Sequence, residues 1–275
     1  MTASVSETSA SIEGPSQLIR TLADIAARAL PVAVIVGLCL VLEVLLRVFD
    51  VPSYIMPTPS AILLEIVKSW QLLWRHAQVT IIEAALGFAL GNAVGVALAV
   101  AFLYSRTLER SLFPVAQTIR SIPVVALAPL FLLWFGNGMA PKVITAALIC
   151  FFPTLVNTYR GLTSVDRLHV ELMHSLAASP TKTFWTIRWP AALPYLFSAL
   201  KIASATAIIG ALVAEWIGSD VGLGYLVVTS TYEYRVEQLW ATIVVTAALA
   251  IVAFEVIAFA ERRIITWQSF DRADG

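Results

Sequence analysis

DRLHVELMHSLAASPTKTFWTIRWPAALP, residues 166–194, decides the architecture, because this polar stretch separates two long apolar runs. Residues 166–176 have helical character, and Ala177-Ala178-Ser179-Pro180 breaks it. Residues 181–189 start a second short helix, with Ser179 as its cap and Pro180 at its first helical position. Pro190 and Pro194 then mark where the next apolar run begins. A polar connector of about thirty residues is long for a simple link between elements. Helix, turn and helix make a rigid lever, since packed elements shift between discrete arrangements more readily than they deform. The spacing therefore predicts a docking surface for a soluble partner, with an ordinary solvated connector as the alternative.

The flanking runs are typical of the chain. Of its 275 residues 59% are hydrophobic and 13% charged, and mean hydropathy is +0.83, whereas soluble domains carry about 25% charged residues. The chain is expected to be a polytopic membrane protein. Transmembrane strands would alternate in about ten-residue segments, and no such alternation is present, so the spans are helices of about 20 apolar residues each and the class is all-α. A formal net charge of zero gives no reason to expect a nucleic-acid partner. Cys39 and Cys150 lie in apolar runs without metal-ligand spacing, as packing residues do. The apolar run after residue 29 is longer than the 7 to 15 residues of a signal-peptide core, so it is expected to be a first span and not a cleaved leader.

Six spans are expected, at 30–48, 77–104, 111–135, 143–159, 191–217 and 239–260. Lys and Arg counts orient them. One side holds Arg20, Arg28, Arg106, Arg110, Arg160, Arg167, Lys182, Arg188, Arg262, Arg263 and Arg272; the other holds Arg47, Lys68, Arg75, Lys142 and Arg235. Both termini and the 160–190 loop are thus expected in the cytoplasm. The resulting division is a tail at 1–29, a first span with an external helix at 30–76, a core at 77–262 and a second tail at 263–275. The external helix starts at Thr58 and Pro59. Ile62, Leu63, Ile66, Val67, Trp70, Leu73 and Trp74 then recur at helical spacing, predicting either an interfacial helix with tryptophans among lipid headgroups or a helix packed on the protein itself.

In span two, Gly87, Gly91, Gly95 and Ala99 form a small-residue stripe that lets helices approach closely, within the chain or across a dimer. Ionisable groups inside spans are costly and so mark candidate pathways. Arg120 and Lys201 fall near the midplane of spans three and five. Pro123 and Pro129 should kink or break span three and free carbonyls that need a polar setting, so Arg120 and Pro123 are candidate pathway residues. Glu83, Glu215, Glu255 and Asn157 are further candidates, against structural ion pairs or, for Asn157 and Asn92, hydrogen bonds between helices. Phe131, Trp134, Phe151, Phe152 and Trp216 are possible stacking partners for a flat solute, or simply packing. No phosphate-cradling G-x-x-x-x-G-K-[ST] run, zinc-protease histidine pair or G-x-S-x-G elbow is present. An enzyme is therefore not expected, and any ATP must be bound by another subunit.

The loop resembles the coupling motif of permease subunits in bacterial ABC importers, E-A-A-x-x-x-G, nine residues, then I-x-L-P. Glu171, Ala177, Ile187 and Pro190 fall at those spacings, with Ser179 capping between them. Leu172, Met173, Ala177 and Trp189 depart from the pattern, and alanine in place of glycine at 177 bears on a turn that needs positive φ. From about residue 50 onward, PTPSAILL, TIIEAALGFALG, SIPVVALAPLFLLWFGNG, FFPTLVNTYRGL, RWPAALPYLFSALKIA and VGLGYL resemble the nitrate, sulfonate and taurine type of importer permease. VALAPLFLLWFG with FFPTLVNT looks most like the branch associated with thiamine pyrimidine precursors and riboflavin. The resemblance implies a type I importer fold in the bacterial inner membrane, a permease dimer, cytoplasmic ATPase subunits that hold ATP and magnesium, and an external solute-binding protein. The reading of the residues that competes with it is an ion-coupled secondary transporter using Glu83, Glu215 or Glu255.

Overall fold

A computed structural model describes residues 17–267, and they are helical with short connections. The chain forms two compact units, 1–61 and 62–275. In the first, α1 (Gln17–Val48) begins inside the stretch expected to be a tail, and it contains the expected first span. From Val34 to Val48 its exposed side chains include Val34, Ile35, Leu38, Val41, Leu45 and Val48, an apolar surface suited to lipid. Glu43 anchors the following turn: it pairs with Arg47 and accepts hydrogen bonds from the Ser60 N–H (3.0 Å) and hydroxyl (2.7 Å).

The second unit begins within α2 (Pro59–Lys68) and continues through α3 (Trp70–Tyr104), α4 (Arg106–Ser121), α5 (Val124–Phe135) and α6 (Met139–Thr163). Then come α7 (Arg167–Ser175), α8 (Pro180–Thr183), a π-turn at Phe184–Arg188, α9 (Trp189–Gly218), α10 (Leu223–Tyr232) and α11 (Val236–Ile264). Four helical stretches are long and apolar enough to cross a membrane: Trp70–Tyr104, Met139–Thr163, Pro180–Gly218 and Val236–Ile264.

The third span is broken, as its prolines lead one to expect, into two helices, α4 and α5, meeting at 98°. Pro123, which has no N–H to donate, sits at the break, whereas Pro129 is accommodated inside α5. The bent pair still crosses. It follows Tyr104, whose ring lies 6.3 Å from that of Phe184 beside the 166–194 loop. It ends with Leu132, which would collide with any Cβ at Gly218, at the opposite end of α9. With this pair the second unit makes five crossings, alternating between the loop end and the far end.

Helix α6 is the centre of the bundle. Cβ atoms at Gly87 and Gly91 would overlap Ala146 and the backbone of Ala147, and one at Gly95 would meet the Phe151 carbonyl. The small stripe therefore seats α3 on α6 inside the chain. Gly210 brings α9 equally close to the fully buried Ala146 from another side. Close backbone approach of this kind supplies the van der Waals packing that associates helices in lipid.

The expected external helix also divides. It stops at Lys68, and Trp70, Leu73 and Trp74 belong to α3. Ile62 and Ile66 pack on a core of Leu73, Ala77, Leu223, Leu226 and Ala241, while Leu63, Val67, Trp70 and Trp74 face outward, the two indole rings stacked at 6.0 Å. One apolar surface meets the protein and another is left for the membrane interface.

Candidate functional site

The 166–194 loop is built from caps. The Asp166 carboxylate accepts the Leu168 N–H at 3.0 Å and starts α7; the Ser179 hydroxyl accepts the Lys182 N–H at 3.3 Å and starts α8. Between them Ala177 adopts φ +53°. Its N–H donates to the His174 carbonyl (2.9 Å) and the Ala178 N–H to the Met173 carbonyl (3.0 Å), the Schellman pattern that satisfies the last carbonyls of a helix. The turn that calls for glycine is thus made by alanine, held by these two bonds against the cost of a left-handed Cβ.

The second short helix does not end before the next span. From Pro180 to Gly218 the chain is one stretch of 39 helical residues, roughly 58 Å at about 1.5 Å per residue. Hydrocarbon is only about 30 Å thick, so this helix extends well outside it. The π-turn at Phe184–Arg188, closed by Trp189 N–H to the Phe184 carbonyl, is the reason it continues: the wider turn admits Pro190, which cannot supply its own bond.

The lever is fastened at its base. Arg188 donates to the Leu162 carbonyl at 2.9 Å, and at Gly161 a Cβ would lie 2.8 Å from Ala192 Cα, so α6 and α9 touch there. Phe184 is buried among Tyr104, Trp185 and Trp189. Glu171 is exposed and paired with Arg167 at 2.9 Å, while Ile187 and Pro190 are half-buried. Outward from α7 and its C-cap project Leu168, Leu172 and Leu176, one apolar ridge at 69%, 56% and 69% exposure, while the other apolar residues of the helix, Val170 and Met173, are half-buried. Leu172, a departure from the alanine of the motif, is the middle of that ridge.

At the far end the structure brings Glu83 and Glu215 together and seals them, 2% and 1% exposed. Lys142 of α6 lies 3.9 Å from Glu83. Glu215 accepts from the Thr80 hydroxyl (2.7 Å) and from the Gly224 N–H (2.5 Å). Thr80 in turn accepts the Leu223 N–H (2.8 Å), and His76 Nδ1 accepts that of Gly222 (3.0 Å). The orphan N–H groups at the start of α10 are thereby satisfied by side chains from α3 and α9. This cluster ties the outer turns of α3, α6, α9 and α10 together, and both Glu215 oxygens are already engaged.

The remaining candidates separate. Asn157 donates to the Pro153 carbonyl of its own helix (2.8 Å), whereas Asn92 accepts from Thr154 across α3 and α6 (2.5 Å). Lys201 pairs with Glu261 of α11 at 2.7 Å, and Glu255 is exposed. Arg120 lies 4.8 Å above the Phe152 ring. Phe152 is about midway along α6, so Arg120 keeps its expected depth although its helix ends one residue later. His76, Thr80, Lys142 and Glu261 carry no local signal of their roles, since each partner is distant in sequence. Only the glycines of VGLG mark the place where the cluster forms.

Five helical crossings, α6 among them at the centre, with a capped lever standing outside them, define a membrane-embedded helical bundle. The chain belongs to the family described as binding-protein-dependent transport system inner membrane component, whose family model matches residues 91–266. It is 35% identical to a probable ABC transporter permease protein of Haemophilus influenzae, over 86% of this chain and 98% of that one. It is 32% identical to the formylaminopyrimidine transport permease protein of Halalkalibacterium halodurans (84% and 92% covered) and 34% identical to the riboflavin transport system permease protein of Chloroflexus aurantiacus (79% and 82%). In fold it is similar to a chain of an amino acid ABC transporter crystallised with histidines, with a TM-score of 0.62 at 18% identity, covering 73% of this chain and 98% of that one. It is accordingly an ABC importer permease subunit for a small solute.

Proposed function

We propose that this chain pairs as a permease dimer, docks cytoplasmic ATPase subunits on the 160–190 loop, and passes on a solute delivered by an external binding protein. ATP and magnesium belong to the ATPase subunits, and both termini lie on the loop side. The favoured cargo is riboflavin or a thiamine pyrimidine precursor, in keeping with the two vitamin-related relatives; nitrate, a sulfonate or taurine is the alternative. Closure of the ATPase pair moves α7, and α9, continuous with the lever through the π-turn, carries that movement into the bundle. Arg120 and Pro123, at the break in the third crossing, line the path.

The observation that carries the docking proposal is the Leu168–Leu172–Leu176 ridge. Apolar side chains at helical spacing on an exposed polar helix are the usual form of a helix-in-groove contact. A cysteine placed at Ser179, on the exposed turn beside the ridge, is expected to crosslink to the ATPase subunit in the assembled complex. Absence of a crosslink from every position between Glu171 and Lys182 would argue against docking there.

A further inference from the structure

We infer that Glu83 and Glu215 share one proton, and that this proton latches the far end of the bundle, seating the start of α10 for as long as it is held. Glu83 of α3 and Glu215 of α9 are side-chain hydrogen-bond partners, yet two ionised carboxylates have no proton to give each other. Both are sealed from water. Among the described residues no donor reaches Glu83 Oε2. Lys142 Nζ stands 3.9 Å from Oε1, too far for a hydrogen bond. An ionised carboxylate left in this state is costly. A proton on Glu83 removes that cost by turning the side chain into a donor to Glu215. Glu215 is the suited acceptor, because the Thr80 hydroxyl (2.7 Å) and the Gly224 N–H (2.5 Å) already favour its ionised form. Each of its oxygens has a further lone pair to offer.

The surrounding charges agree with a single proton. With Glu83 neutral, the Glu215 carboxylate balances the Lys142 ammonium contributed by α6; a second proton would leave that ammonium unbalanced in a buried setting. His76 of α3 adds no charge, since its Nδ1 accepts the Gly222 N–H. The group that α10 turns towards this histidine is Tyr225, stacked on the ring at 5.8 Å. Arg75 and Asp220, the nearby charges on α3 and in the α9–α10 turn, are exposed and screened by water. Loss of the proton sets two negative charges side by side against one ammonium, an arrangement that adjoining carboxylates avoid. Moving Glu215 away relieves it. Glu215 holds the Gly224 N–H directly and, through Thr80, the Leu223 N–H, so the start of α10 moves with it. The latch is therefore closed while the pair is protonated and loosens as rising pH removes the proton.

The test uses the permease–ATPase complex in lipid nanodiscs and infrared difference spectroscopy. At neutral pH the wild type should show the carbonyl stretch of a protonated carboxylic acid, and Glu83→Gln and Glu215→Gln should each lose it. The second loss is the telling one: in Glu215→Gln, Glu83 has Lys142 to itself and ionises. No band in the difference between wild type and Glu83→Gln, or a band that survives Glu215→Gln, would overturn the shared proton. The latch is read on the wild type itself by raising the pH until the band disappears. Over the same interval, hydrogen exchange at the Leu223 and Gly224 amides, referenced to the Ala178 amide of the loop, should quicken about tenfold or more. In Glu83→Gln, whose amide donates to Glu215 without ionising, it should not. Exchange in the wild type that ignores the loss of the band, or that quickens equally in Glu83→Gln, would overturn the latch.

Discussion

Gly222 and Gly224 leave room for a carboxylate. A Cβ on either would run into the Glu215 side chain, one on Gly224 would also meet the Leu212 carbonyl, and Gly222 has φ +114°. Glu215 needs that proximity, because Gly224 donates one of its two hydrogen bonds. Gly224→Ala is expected to destabilise the protein by about 1–3 kcal/mol, the usual cost of forcing atoms into a packed site. Gly138→Ala, where nothing lies within 4 Å and φ is −134°, should leave it unchanged. Thermal unfolding of the purified complex checks the pair, and equal midpoints for the two variants would contradict the packing described. The sequence shows a glycine-bearing VGLG run and an acidic residue, Glu215, within an apolar span. It does not show that they meet. Thr80 lies 135 residues from Glu215 and His76 lies 146 from Gly222, so no spacing rule joins them.

At the scale of elements, the caps were legible and the continuity was not. Asp166, Ser179 and Pro180 carry the side chains that start helices, and α7 and α8 begin where those residues place them. Pro190, by contrast, suggests a boundary that the chain bridges with a π-turn, a conformation that no single residue type specifies. Pro123 is legible as a break in the same way, but the 98° angle depends on the packing of α5 against α6 and α9. Ala177 is the informative departure. Its φ of +53° costs an alanine about 1–2 kcal/mol that glycine does not bear. Ala177→Gly should therefore stabilise the turn by about 1 kcal/mol or somewhat less, since glycine also gains freedom in the unfolded chain. Slower hydrogen exchange at the Ala178 amide, which the Schellman bond protects, is the measurement; faster exchange in Ala177→Gly would contradict the geometry.

For the whole molecule, composition and hydropathy were enough to give helical crossings, and the apolar runs gave their order. The small-residue stripe indicated close packing without saying on what; the contacts of Gly87, Gly91 and Gly95 give α6 as the answer. The charged residues taken one at a time suggested several pathway candidates. Assembled, two of them close the far end of the bundle, Lys201 finds Glu261, and Arg120 stands beside the break. That arrangement leaves the protruding lever as the part of the molecule suited to receive work from outside.

The decisive measurement is solute uptake into proteoliposomes that hold this chain with its ATPase subunits and are supplied with loaded binding protein, with and without ATP and with the proton gradient collapsed. Uptake should require ATP and all three components and should survive loss of the gradient. Uptake by this chain alone, abolished when the gradient is collapsed, would contradict it.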